Sequence, residues 1–230
     1  MLWQEKNDES KFVVPDDIQD LSFRMSCQEL PVDHAWSLLQ AVKAELPWIS
    51  DEPNLGIHSI HGAASGNGWT RPDQSNQVLL QISRRTRLYL RVPKHRIEDA
   101  RRLIGKQLQP GEYSIRIGDA QQKKLVPTKT VFSRSVCGMD VENEGDFTDE
   151  IVSTLQQNNV NVTKMLCGLS HTIETPSGPI TARSVLLADI ELEESIILQQ
   201  QGLGPNRLLG CGIFLPHKSL AAVGASQDDE

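Results

Sequence analysis

The chain has no apolar run approaching the ~18 residues of a membrane span. Residues 1–20 are polar and acidic, where a signal peptide would be basic and then apolar. A cytoplasmic protein with no membrane partner is therefore expected. Cysteine is sparse: Cys27, Cys137, Cys167 and Cys211 stand singly, with no C-x-x-C pair to suggest zinc or a redox motif. Reduced, mostly buried thiols follow. His58 and His61 form the one close histidine pair, but three apart on the strand-like stretch GIHSIHGA they face opposite sides, which argues against a shared metal. The glycine-rich stretch GLGPNRLLGCG lacks the Gly-Lys-Ser/Thr ending of a phosphate-cradling loop, and a strand-like pattern follows it instead of a helix. Both nucleotide fingerprints are thus missing, and neither a cofactor nor a metal is expected.

What the chain does have is an uneven charge. Its net charge of −7 argues against a nucleic-acid partner at face value, because phosphate binding is driven by Lys and Arg releasing counterions. The distribution points the other way. Residues 84–134 carry 14 Lys or Arg against 4 Asp or Glu, while residues 1–55 carry 4 against 11. Clustering of this kind is the footprint of a polyanion-binding surface.

Periodicity gives an α+β chain in two halves. Residues 1–20 read as a flexible extension, residues 21–122 and 123–218 as two domains, and residues 219–230 as a disordered tail. In the first half, a strand over 21–27 precedes Asp33, a helix-capping residue, and a helix over 34–46 with Leu38, Leu39 and Val42 on one face. Strands over 56–63 and 77–92 and a helix over 95–106 follow, and residues 113–117 supply a fourth strand. Along 77–92, Leu88, Leu90 and Val92 alternate with Arg87 and Arg91, setting a basic face opposite the core. The order βαββαβ is the ferredoxin-like pattern. It recurs with strands over 126–137, 164–175 and 180–190, helices over 148–158 and 192–201, and a last strand over 208–215 fed by the glycine-rich loop. Trp69, in a polar loop, reads as an aromatic folded over the core.

Three segments carry a resemblance: LSFRMSCQELPVDHAWSLLQAV at residues 21–42, ISRRTRLYLRVPKHRIEDARRLIGKQL at 82–108, and the stretch from 164 to 218 that closes with GLGPNRLLGCGIFLPHK. Together they resemble the CRISPR RNA-processing endoribonucleases of the Cas-six family, MYXAN subtype, from about residue 21 to residue 218. The resemblance implies two tandem ferredoxin-like domains with a C-terminal glycine-rich loop. It also implies a metal-independent cut of precursor CRISPR RNA by attack of the RNA's own 2′-hydroxyl. The implied partners are the repeat hairpin, kept as the 3′ hairpin of the mature RNA, and neighbouring subunits of the effector complex.

Such a cut needs a proton acceptor and donors for the phosphate. His34, at the start of the first helix, is held neutral by the helix dipole and matches the position where many members of the family carry their catalytic histidine. His217 and His171 are alternatives, and Lys218 and Arg207 are the cations nearest the glycine-rich loop. His58, His61 and His95 read as structural. Arg84, Arg85, Arg87, Arg91, Arg96, Arg101 and Arg102 are expected to line the phosphates of an A-form stem, with Arg183 on the later hairpin. Gly202, Gly204, Gly210 and Gly212 would let the loop backbone come close to another backbone or to the RNA. Two other readings stand beside this one: a module of the same fold that binds and caps the hairpin without cutting, and a small-molecule enzyme using the glycine-rich loop.

Overall fold

The computed structural model describes residues 12–61, 78–138 and 143–217. The first strand, β1 (Ile18–Ser26), buries Leu21, Phe23 and Met25 on one side and turns Asp20, Ser22 and Arg24 to the other. β2 (Glu29–Pro31) follows, and α1 (Ala35–Glu45) packs Leu38, Leu39, Ala41 and Val42 into the core before Pro47 ends it. β3 (Gly56–Ile57), β4 (Leu79–Gln81), β5 (Arg87–Pro93), α2 (Ile97–Ala100), β6 (Gln107–Leu108) and β7 (Ile115–Lys124) complete the first half. The main sheet runs β3-β5-β1-β7-β6, while β2 and β4 pair as a separate ribbon. Setting the short β6 aside, the fourth strand lies beside the first, the first beside the third and the third beside the second. That is the ferredoxin-like arrangement, with both helices burying their apolar sides in one core.

The second half repeats it. β8 (Thr130–Cys137), α3 (Glu144–Gln157), β9 (Lys164–Ile173), β10 (Ile180–Ala188), α4 (Leu192–Gln201) and β11 (Leu215–Pro216) form a sheet in the order β11-β8-β10-β9. Asn143 starts α3 by accepting the Gly145 and Asp146 amides on its side chain, and a reciprocal Glu191–Glu194 capping box starts α4. No helix among the described residues is long and apolar enough to cross a membrane.

Several elements differ from the sequence expectation. Residues 18–20, read as the end of a flexible extension, belong to β1. The long strand over 77–92 breaks in two, because the chain turns between Ser83 and Thr86 and sends β4 to pair with β2. The helix over 95–106 shrinks to one turn of α2 between two 3₁₀ turns, and Gly105 at φ 80° ends the segment. The final strand over 208–215 begins only at Leu215, since residues 207–209 coil into a 3₁₀ turn that sets Leu209 into the core of the first half.

The two halves are joined by buried polar contacts. Arg91 is fully buried; its Nε and Nη2 hold the two carboxylate oxygens of Asp20 at 2.8 and 2.9 Å, and its Nη1 donates to the carbonyls of Gln199 and Phe214, both at 2.8 Å. This corrects its assignment as an RNA-contacting residue: the face of β5 opposite the core is covered at that point by the second half. Asp33, expected to cap α1, instead accepts the Glu174 amide at 2.7 Å across the junction, leaving His34 at the N-cap position.

Candidate functional site

The glycine-rich loop is held by its own chain. Gly202, Gly204, Gly210 and Gly212 all have positive φ, from 65° to 83°, where a side chain is strained. A Cβ on Gly202 would stand 2.5 Å from the Gly212 carbonyl oxygen, and one on Gly204 2.5 Å from that of Cys137. Gly210 is pressed in the same way against Ser59 and the Ile57 carbonyl of the first half, and Gly212 against the Leu203 carbonyl. The Gly212 amide donates to Ser135 O at 2.6 Å and the Gly210 amide to Arg207 O at 3.1 Å. The close approach seen at the glycines is to other parts of this chain, its backbone and, at Gly210, the Ser59 side chain.

Beside Gly210 the two halves border an open cavity of about 360 Å³. Its walls come from the segment after β3 (His58, His61), the turn into β5 (Arg85), β5 itself (Arg87, Tyr89) and Arg134 on β8. Three guanidiniums and two imidazoles meet there, and no Asp or Glu is among the described residues that line it. His58 is buried, 3.3 Å from the Asp20 carboxylate and 5.6 Å, ring to ring, from Tyr89. Burial pushes its ring below the ordinary imidazole range, with Asp20 acting against that shift. Arg134 is half-buried over the Phe132 ring, and burial lowers its pKa too. His61 is exposed. The alternation that placed His58 and His61 on opposite faces fails because the strand ends at Ile57 and the chain turns both toward the cavity.

His34 lies elsewhere, 3 % exposed. Its Nδ1 is 2.9 Å from the Pro31 carbonyl, which can only accept, so Nδ1 carries the proton; Nε2 then accepts the Ile60 amide at 3.0 Å. Both ring nitrogens are thus tied to backbone. His171 pairs through Nε2 with Ser135 Oγ at 2.9 Å, and His217 sits at the end of β11 beside the Phe132 ring. Lys218 and Trp69 lie outside the described residues.

The remaining cations of the basic segment divide between two surfaces. Arg84 and Arg85 are exposed on the turn before β5. Arg96, Arg101 and Arg102 lie on the helical side of the sheet, away from the cavity, each paired with a carboxylate: Arg96 with Glu52 and Asp99, Arg101 with Glu98, Arg102 with Asp99. Lys94, His95 and Lys106 pair likewise with Asp16, Glu52 and Glu45. The arginines expected to line the stem therefore stand on two surfaces. Arg183 turns onto Glu144 at 2.8 Å and the Gly168 carbonyl at 3.3 Å, with 11 % of its side chain exposed. Arg207 folds back on the Gln200 and Gln201 carbonyls that end α4, and burial, then the charge of Arg91, push its pKa down to about 10. Both guanidiniums are engaged with groups of this chain. A basic cavity with imidazoles, and no carboxylate among the described residues that line it, can hold a phosphate and accept a proton beside it.

Comparison with known proteins places this architecture. The chain is 25% identical over 204 residues to the CRISPR-associated endonuclease Cas6 of Myxococcus xanthus, an alignment covering 89% of this chain and 84% of that one. Among solved structures it is similar to a CRISPR-associated protein Cas6, with TM-score 0.61 at 10% identity over 87% of this chain and 100% of the other. A second, described as an RAMP protein binding different RNA substrates, gives TM-score 0.59 at 14% identity over 86% and 98%. A third, a Cas6-related protein from Pyrococcus furiosus, gives 0.58 at 12% over 86% and 97%. The family model described as Cas6 Crispr matches residues 19–219, and on that match the chain belongs to the Cas6 family.

Proposed function

We propose that the protein is an endoribonuclease that binds the hairpin of CRISPR repeat RNA and cuts the precursor by 2′-hydroxyl attack, without a metal ion. It then stays on the 3′ hairpin of the mature RNA beside other effector subunits. The observation that carries this reading is the cavity between the two halves: in a chain of net charge −7, Arg85, Arg87 and Arg134 converge there with two histidines and no lining carboxylate among the described residues. Such a lining attracts a phosphodiester and repels nothing in it. The relatives support the substrate class, since one is named an endonuclease of the CRISPR system and another an RNA-binding protein.

For His34 to be the base, its Nε2 must first release the Ile60 amide. That contact favours a second reading, in which the protein grips and caps the hairpin but does not cut. His217 and Lys218, at the end of the glycine-rich stretch, are further candidates for proton transfer and phosphate binding. One assay separates the readings: the native chain and its His34→Ala and His217→Ala variants are incubated with repeat RNA in EDTA, scoring cleavage and binding together. Cutting by the native chain in EDTA is the expected result; tight binding with the RNA left whole makes the protein a cap.

A further inference from the structure

We infer that Cys137 and Cys211 form a redox-sensitive pair, which a peroxide joins into a disulfide that ties the glycine-rich loop to the end of β8. This modification site does not depend on the ribonuclease reading. The fold brings the two cysteines together from distant parts of the chain. Cys137 is the last residue of β8, and Cys211 lies in the loop between α4 and β11. There the loop runs against β8: the Gly212 amide donates to Ser135 O at 2.6 Å, and the Cys211 amide donates to Asn206 O at 3.2 Å. Asn206 Nδ2 stands 3.5 Å from Cys137 Sγ, which in turn lies 3.6 Å from the Pro205 carbonyl. Both thiols belong to one small buried cluster with Ile173 and Ala182, and they are in hydrogen-bonding contact with each other. Two cysteines can be bridged without moving backbone only when their side chains point at one another, as these do.

The surroundings favour reaction at Cys137. The thiolate is the form that reacts, and the hydrogen bond from Cys211 is the largest influence on it. Burial acts against that bond and Asn206 adds to it, so the Cys137 thiol is held below the ordinary thiol range. Burial pushes Cys27 and Cys167 the other way. Cys137 is fully buried, but its cover is thin: Pro205 and Asn206, which touch its sulfur, are both exposed. A molecule as small as hydrogen peroxide has one layer of loop to pass. The Cys137 thiolate attacks one oxygen of the peroxide, the O–O bond breaks, hydroxide leaves, and Cys137 becomes a sulfenic acid. The Cys211 sulfur then gives up its proton and attacks the Cys137 sulfur; the S–O bond breaks and the oxygen departs as water. Two thiols are oxidised to one disulfide, and one peroxide is reduced to two waters. The new bond closes a circuit of chain through α3, β9, β10 and α4, and closing a long circuit restricts the unfolded state.

The experiment treats the full chain with hydrogen peroxide, quenches it with an alkylating reagent and maps disulfides by peptide mass without reduction. Thermal unfolding is recorded before and after dithiothreitol. The chains compared are native protein, Cys137→Ser, Cys211→Ser, and Cys27→Ser combined with Cys167→Ser, and unfolding of each untreated chain shows that it is folded. Native protein and the Cys27/Cys167 double variant are expected to lose two thiols per chain and to yield one linked peptide pair containing Cys137 and Cys211. Their melting midpoint rises by roughly 5–15 °C and returns with dithiothreitol. Cys137→Ser gives no link and no rise, and Cys211→Ser stops at a sulfenic acid on Cys137. Should either single variant fail to fold, the peptide maps of native protein and the double variant decide alone. The inference is overturned if folded native protein yields no such pair, if the pair forms only in urea, or if the linked chain melts no higher than the reduced one.

Discussion

At the scale of single residues, buried polar groups set the stability of the molecule. Arg91 and Asp20 form a two-point ion pair that the second half seals from water. Removing one partner of such a pair leaves a buried charge uncompensated, a loss of about 3–5 kcal/mol. Arg91→Met is expected to fall in that range in urea unfolding, more than any single replacement on the exposed arm of Arg102. His34→Ala strands the Ile60 amide and the Pro31 carbonyl, and about 1–3 kcal/mol is expected from the unpaired buried groups. Acid sensitivity has a similar origin. Burial lowers the His58 pKa, so the unfolded chain binds the proton more readily than the folded one. The stability it contributes is complete above the unfolded value of about 6.5 and is lost as the pH falls toward the folded value. Burial acts to raise the Asp20 carboxyl, but Arg91 and then His58 outweigh it and hold it well below the carboxylate range. Its contribution is lost lower, below about pH 4. Unfolding midpoints should therefore drop between pH 7 and pH 5, and His58→Gln should flatten that drop.

At the scale of elements, the glycine-rich loop is a joint. It leaves α4 at Gly202, places Leu209 in the first core and returns to β11, so its glycines are fixed by backbone packing on both sides. Gly212→Ala drives a Cβ onto the Leu203 carbonyl, which cannot swing aside, and adds the cost of positive φ. Gly105→Ala meets nothing within 4 Å and bears only the φ cost, of about 1–2 kcal/mol. The loss in Gly212→Ala should be clearly the larger in denaturant midpoint, and equal losses would mean that the loop yields. The elements themselves were largely legible in the sequence. α4 and the β9–β10 hairpin stand where periodicity put them, because their caps and turn residues are local. What periodicity missed was decided by distant contacts. Leu208 and Leu209 look like strand but turn inward to another core, and His58 and His61 look like opposite faces of a strand that has already ended.

At the scale of the whole molecule, the uneven charge of the sequence is partly cancelled by folding. The acidic first segment lies against the basic one: Asp16, Asp20, Glu45 and Glu52 take Lys94, Arg91, Lys106 and Arg96. Separation along the chain is thus not separation in space, which is why the seven arginines of residues 84–102 could not be sorted before the fold was known. Their sorting makes a prediction for RNA binding. Each phosphate contact adds about 0.7–0.9 to the slope of log affinity against log salt. Arg85→Ala and Arg87→Ala should each make that slope shallower, whereas Arg101→Ala and Arg102→Ala, on the paired helical side, should leave it as it is. Binding of repeat RNA over a series of salt concentrations measures both pairs. A slope reduced by the α2-side variants and untouched by the cavity-side ones would move the RNA path across the helices and away from the junction of the two halves.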